Sequence, residues 1–156
     1  LSEVLDNTLQ MFTHAVREKG LSLRFDVGEG VPQSLVGDPT RLGQILLNLV
    51  GNAMKFTHEG SVTLFVRCVE TDQQTVTLGF AVRDTGIGIA PEDLPRVFDK
   101  GYTGCNGRTD RRASGLGLYL CRRICQNLGI DISISSTVGE GTTVRLDLGQ
   151  YKLGKE

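Results

Sequence analysis

Placed on a helical wheel, residues 38–56 carry two stripes. Leu42, Ile45, Leu46, Leu49, Ala53 and Phe56 form an apolar one. Arg41, Gln44, Asn48, Asn52 and Lys55 form a polar one, centred about 110° away. Amides fit poorly in helix interiors. Two of them a turn apart beside a lysine are therefore either a solvated face or residues kept for a ligand. Downstream, Asp84-Thr85-Gly86-Ile87-Gly88-Ile89 closes an apolar strand, and Ser114-Gly115-Leu116-Gly117-Leu118 opens a helix. Glycines let a backbone approach a ligand closely, and the free N–H groups of a helix start attract phosphate. The plainer readings are a tight turn and small-residue packing of helix on sheet. Gly139-Glu140-Gly141-Thr142-Thr143 is likewise a common turn sequence. Gly86, Gly88, Gly101, Gly104, Gly107, Gly115, Gly117, Gly139 and Gly141 all fall between 84 and 142. That clustering favours loops closing on a ligand over a generally flexible chain.

These segments need elements to hold them. Residues 2–19 read as an amphipathic helix through Val4, Leu5, Leu9, Phe12 and Val16, ended by Gly20. Residues 21–27 alternate as a strand does, and 28–34 form a loop. Asp38-Pro39 is an N-cap followed by proline at the first helical position, and that helix runs to about 56. Residues 61–70 and 75–83 read as strands joined by a polar turn. Residues 91–98 read as a short helix, and 99–114, with no hydrophobic period, as a long loop of the sort explained by a lid or by disorder. A helix over 115–128 follows, then strands over 131–136 and 143–148, then a frayed tail over 150–156. Three helices and about five long strands predict an α+β fold of two layers, with helices on one face of a mixed sheet.

The 156 residues suit one domain with one core. A net charge of −1 gives no electrostatic footprint for nucleic acid. No uninterrupted apolar run approaches the roughly 18 residues of a membrane span, and no signal-peptide pattern opens the chain. An opening directly in a helical pattern fits a fragment of a longer protein. Cys68, Cys105, Cys121 and Cys125 match no zinc-binding spacing. Cys121 and Cys125, four apart on a helix, read as small apolar residues. Cys105, in a glycine-rich polar loop, is the candidate exposed thiol, and a reducing cytoplasm is the natural setting.

In their order and spacing, the asparagine helix and the two glycine segments resemble the nucleotide-binding boxes of sensor histidine kinases. These belong to a wider superfamily shared with DNA gyrase B and the heat-shock chaperones. The resemblance runs from near Leu1 to about Leu148. It implies a Bergerat-type α/β sandwich: a mixed, mostly antiparallel sheet of about five strands, covered on one face by about three helices. The catalytic domain would span 1–149, with a flexible ATP lid over about 99–114 and a tail over 150–156. The implied cofactors are ATP and Mg²⁺. Asn52 matches the asparagine whose side-chain oxygen ligates magnesium. Lys55 matches the basic residue that approaches the phosphates as a point charge. Asn48 stands where the ATP-hydrolysing relatives carry a water-activating glutamate. An amide cannot be a general base, so Asn48, with Lys55 a catalytic candidate, favours transfer to a neutral histidine over hydrolysis. Asp84 would accept from the adenine exocyclic amine. Gly86 and Gly88 would admit base and ribose, Ile89 would line the apolar slot, and Thr142 would hold the adenine edge. Ser114, Gly115, Leu116, Gly117 and Leu118 would bind phosphate.

The lid departs from the commonest family pattern. Val97-Phe98-Asp99-Lys100-Gly101-Tyr102-Thr103-Gly104 keeps the first phenylalanine, but Gly101 replaces the second and Thr103 stands where many members carry arginine. This version resembles lids of sensor kinases from Gram-positive bacteria. Lys100, Tyr102, Thr103 and Gly104 are its candidate nucleotide contacts, and Lys100, Arg108, Arg111 and Arg112 its candidate cations. Neither His14, followed by Ala15, nor His58, in a turn, lies in a phosphoacceptor motif. The resemblance therefore implies an acceptor histidine on a helical dimerisation domain just before Leu1. A response regulator receiver domain would act as onward partner. The isolated domain would be monomeric and the parent a membrane-bound sensor with this part cytoplasmic. Two rivals stand beside it: an ATPase of the gyrase and chaperone type, and a degenerate, non-catalytic nucleotide-binding or interaction module.

Overall fold

The structure is a computed structural model that describes residues 1–102 and 117–153, without the side chains of 150, 151 and 153. Thr103, Gly104, Cys105, Arg108, Arg111, Arg112, Ser114, Gly115 and Leu116 lie outside the described residues. In chain order the elements are α1 (Ser2–Lys19), β1 (Ser22–Val27), β2 (Leu35–Val36), α2 (Pro39–Phe56), β3 (Ser61–Thr71), β4 (Thr75–Asp84), α3 (Gly117–Leu128), β5 (Asp131–Thr137) and β6 (Gly141–Leu153). The sheet runs β1-β3-β4-β6-β2, and β5 also pairs with β6. Only the β1–β3 pair is parallel; the other pairs are antiparallel. This is the expected α+β architecture of five long strands and three helices, with a two-residue sixth strand.

Alternation decides which face is buried. Val62, Leu64 and Val66 of β3, Val76, Leu78, Phe80 and Val82 of β4, and Val144, Leu146 and Leu148 of β6 are all buried. Their neighbours in sequence point to the opposite face, as the period of two requires. Against this apolar face lies α2. Asp38 caps it by accepting from the Arg41 N–H at 3.1 Å, and Pro39 supplies a helical φ at its start. Ile45, Leu46, Leu49, Val50, Ala53 and Met54 are its buried residues. That stripe is wider than the wheel suggests because α2 is also covered by α1 and α3. Full burial of a side chain such as Leu46, at 0% exposed, contributes about 1.5–3 kcal/mol. Among the described residues no helix is long and apolar enough to cross a membrane.

Two expectations are corrected. The short helix over 91–98 is a 3-10 turn over Leu94–Arg96, bracketed by irregular turns. Pro95 has no N–H to extend the helical ladder, so the segment cannot propagate. The tail does not fray from 150, because β6 continues to Leu153. Lys152 lies opposite Val36 of β2 and Thr75 of β4. Gln150, Tyr151, Lys152 and Leu153 do alternate, but Gly149, at φ 64, interrupts the pattern, and the pairing partners come from distant strands.

Candidate nucleotide site

At one end of the sheet a row of side chains crosses four strands on the buried face. Val62 of β3 is opposite Asp84 of β4, Asp84 is opposite Thr142 of β6, and Thr142 is opposite Ser136 of β5. Asp84 is the charged member of that row, and only 9% exposed. Its Oδ1 accepts from the Gly86 N–H at 2.9 Å and the Thr142 N–H at 3.2 Å. Among the described residues nothing donates to Oδ2. Burial pushes the Asp84 carboxyl above its ordinary value, and the two N–H groups pull against that. A largely buried carboxylate with one oxygen pinned and the other left to accept suits a ligand N–H donor.

The glycines after Asp84 are there because nothing larger fits. A Cβ on Gly86 would stand 2.4 Å from the Phe56 carbonyl oxygen and 3.0 Å from Asp84 Oδ1. Gly88 has φ 78, and its Cβ would stand 2.4 Å from the Thr137 carbonyl oxygen. The turn is tied to both layers: the Ile87 N–H donates to Phe56 at the end of α2, and the Gly139 N–H donates to Ile87. The Ile89 N–H donates to Ser136 Oγ at 2.7 Å. The Ser136 hydroxyl in turn lies 2.8 Å from Thr142 Oγ1.

The second half of the site lies between two helices. Asn48, Asn52 and Lys55 are half-buried along α2. The Asn52 amide faces the first residue of α3: a Cβ on Gly117 would be 3.5 Å from Asn52 Nδ2 and 3.6 Å from Oδ1. Asn48 hydrogen-bonds the Cys121 thiol, whose sulfur also lies 3.9 Å from the Ile45 carbonyl oxygen. Cys121 and Cys125 are fully buried, and burial pushes their thiols up to about 12 and about 11, so both pack as inert small residues. The Lys55 ammonium lies 5.3 Å from the centre of the Phe56 ring. Lys19, at the end of α1, donates to the Met54 carbonyl, where a cation suits the helix C-terminus.

The structure thus brings Asp84, Gly86, Gly88, Ile89 and Thr142 together, and sets Asn48 and Asn52 of α2 against α3. Leu118 is half-buried and packs against the core. The two described lid candidates make other contacts. Lys100 lies 5.8 Å over the Tyr119 ring, while the Tyr102 hydroxyl donates to Asp93 and its ring lies 4.4 Å under the Arg96 guanidinium. Two residues, one in the row and one beside it, carry no signal in the sequence. Ser136 is one, an ordinary serine in an alternating strand whose partners only strand register reveals. Thr57 is the other. Its hydroxyl is buried with no partner among the described residues and lies 2.9 Å from where a Gly86 Cβ would sit.

A one-face-covered mixed sheet with a buried carboxylate between glycines, faced by a helix of amides, defines a Bergerat-type nucleotide-binding domain. The chain belongs to the histidine kinase-, DNA gyrase B- and HSP90-like ATPase family, which it matches over residues 37–152. It is related to sensor histidine kinases. It is 36% identical over 154 residues to the signal transduction histidine-protein kinase BarA of Escherichia coli K12, covering 95% of this chain and 17% of BarA. It is 37% identical over 154 residues to the sensor histidine kinase GacS of Pseudomonas protegens, covering 97% of this chain and 17% of GacS. The chain thus spans about a sixth of these relatives. Among solved structures, full-length ShkA in complex with AMPPNP aligns with a TM-score of 0.81 at 28% identity, covering 99% of this chain and 30% of that one. The catalytic domain of histidine kinase ThkA shares the fold, with a TM-score of 0.72 at 22% identity over 98% of this chain and 94% of that one.

Proposed function

We propose that this chain binds Mg²⁺-ATP between α2, the Asp84 row and the start of α3, and supplies the phosphoryl group to a histidine on a separate dimerisation domain. The observation that carries this is the Asp84 carboxylate, with Oδ1 held by two backbone N–H groups and Oδ2 left to accept. Such an acceptor complements the exocyclic amine of adenine. The close packing of Gly86 and Gly88 against Phe56 and Thr137 fixes the turn that flanks this carboxylate. The AMPPNP bound by ShkA supports the same reading.

The roles of the remaining residues follow from their chemistry. Asn52 offers one amide oxygen, so it would hold Mg²⁺ only together with phosphate oxygens, the usual mode for this cation. Lys55 offers a point charge, and the α3 start, with Ser114, Gly115 and Leu116 outside the described residues, offers N–H groups. Bound magnesium would neutralise charge on the transferring group. Asn48 cannot take a proton from water, so the chain orients the nucleotide and leaves the nucleophile to the partner histidine. In a membrane-bound sensor, the phosphorylated histidine would then pass its group to a receiver domain. The domain would extend over 1–153 rather than ending at 149.

Calorimetric titration tests the binding step. Asp84→Asn should weaken ATP and ADP alike by about 1–3 kcal/mol, the worth of a hydrogen bond to a charged group. Labelled ATP tests the transfer step. The chain alone should gain no acid-labile label on His14 or His58, and should label a cognate histidine-bearing domain in trans. Rapid phosphate release without a partner would favour an ATPase, and binding without transfer would favour a non-catalytic module.

A further inference from the structure

Three short contacts converge on the Ser136 hydroxyl. Oγ accepts from the Ile89 N–H at 2.7 Å, donates to the Gly141 carbonyl oxygen at 2.9 Å, and lies 2.8 Å from Thr142 Oγ1. A serine hydroxyl has one proton and two lone pairs. A carbonyl can only accept, so the bond to Gly141 takes the serine's one proton. The Thr142 contact must then run the other way, with Thr142 donating. Its proton turned to Ser136, Thr142 Oγ1 keeps only lone pairs for the pocket. Asp84, beside it in the row, also offers only lone pairs at Oδ2.

We propose that Ser136 is a positioning residue that sets the polarity of the base pocket. By holding Thr142 as an acceptor, it makes the row select a 6-amino purine over a 6-oxo purine. The inference rests on the nucleotide reading above and deepens it. A 6-amino group presents donors to a row of acceptors. With the 6-substituent placed between Asp84 Oδ2 and Thr142 Oγ1, a 6-oxo group meets both acceptors with an oxygen, and its one nearby donor, the ring N1–H, lies outside that gap. Buried acceptors left without donors are what make such a mismatch costly. The Ile89 N–H fastens the loop after Gly88 to the same oxygen, so one hydroxyl holds β5, β6 and the glycine turn in a common geometry.

Titration calorimetry with ADP and inosine diphosphate tests this in five proteins: the unaltered chain, Ser136→Ala, Ser136→Thr, Thr142→Val and the double variant that combines Ser136→Ala with Thr142→Val. The unaltered chain should prefer ADP. Ser136→Ala frees the Thr142 proton to turn toward the pocket, and the ADP preference should fall by about tenfold, with inosine diphosphate binding gaining as ADP binding weakens. Ser136→Thr keeps a hydroxyl and should retain most of the preference. Adding Ser136→Ala to Thr142→Val should change the ratio no further. A merely structural serine would lower the melting temperature and both affinities in parallel. An unchanged ratio in folded Ser136→Ala overturns the proposal. If Asp84→Asn still weakens ADP binding in that case, the nucleotide reading stands alone. ADP binding indifferent to Asp84→Asn would remove both.

Discussion

The two ends of the candidate site are built differently. At the base end, Asp84, Thr142, Ser136 and Ile89 are joined by hydrogen bonds of 2.7 to 3.2 Å, three of the four residues sitting on neighbouring strands. At the phosphate end, Asn48 and Asn52 of α2 face α3, and Lys55 and Lys100 lie over aromatic rings. Under the proposed function, the difference matches what each end would recognise. A purine is rigid, and its donors and acceptors are read by fixed partners whose geometry the sheet pays for during folding. A phosphate chain is charged and flexible. Point charges on long side chains, amide oxygens and helix N–H groups can follow it without a fixed register.

The comparison can be broken at its strongest point first. Gly88→Ala would put a Cβ 2.4 Å from the Thr137 carbonyl oxygen at a φ of 78. Strain of this kind costs about 1–3 kcal/mol before any clash is counted. Both ATP and ADP should be lost together, and thermal denaturation should show a lower melting point. Binding that survives intact would mean that the turn bends freely, and that the base end is no more rigid than the other.

Asn52→Ala sharpens the contrast. It should remove most of the enhancement that Mg²⁺ gives to ATP binding and leave metal-free ADP binding near that of the unaltered chain. If metal-free ADP binding falls equally, the two ends are not separable.

Acid titration separates them again, because Asp84 is buried while the phosphate-end groups are not carboxylates. Burial raises the Asp84 carboxyl above 3.8 in the folded chain. Protonation removes the acceptor, so ADP affinity should decline as pH falls through that raised value, and the decline should vanish in Asp84→Asn. The stability contribution has the opposite sign. Charging a carboxyl whose folded pKa is raised opposes folding, so this group's share of stability falls as pH rises between 3.8 and the raised value. Isothermal titration and denaturant melts over that range check the two signs independently.

The smallest effect concerns the cysteines behind the phosphate end. With thiols pushed up to about 12 and about 11, Cys121 and Cys125 should resist alkylation at about pH 8 in the folded chain and react only on unfolding. Mass spectrometry of alkylated peptides reads this directly. Reaction at Cys121 in the folded state would show that α3 parts from α2, and that the phosphate end opens more readily than its burial implies.

Much of this architecture is legible in the residues alone. The two stripes of α2 follow from a 3.6-residue period that apolar residues such as Ile45, Leu46 and Leu49 obey, and β3 and β4 follow from strict alternation. The Asp84–Ile89 turn stands out because glycine spacing is itself a local signal. Ser136 does not, since nothing distinguishes it from Ser133 or Ser135 until β5 is registered against β6. Nor does Thr57, whose orphaned hydroxyl has meaning only beside Gly86. Around Leu94–Arg96 two prolines pull apart: Pro91 suits a helix start, and the missing N–H of Pro95 limits the segment to a 3-10 turn.

The sequence by itself determined the long helices and strands, their amphipathic faces and the residue types able to meet a nucleotide, because helical and strand periods are properties of contiguous residues. Only the tertiary structure decided which oxygens are pinned and which stay open. The bond from Thr142 to Asp84 joins residues 58 apart, and such partners are chosen by strand register and by the burial of the whole sheet under its helices.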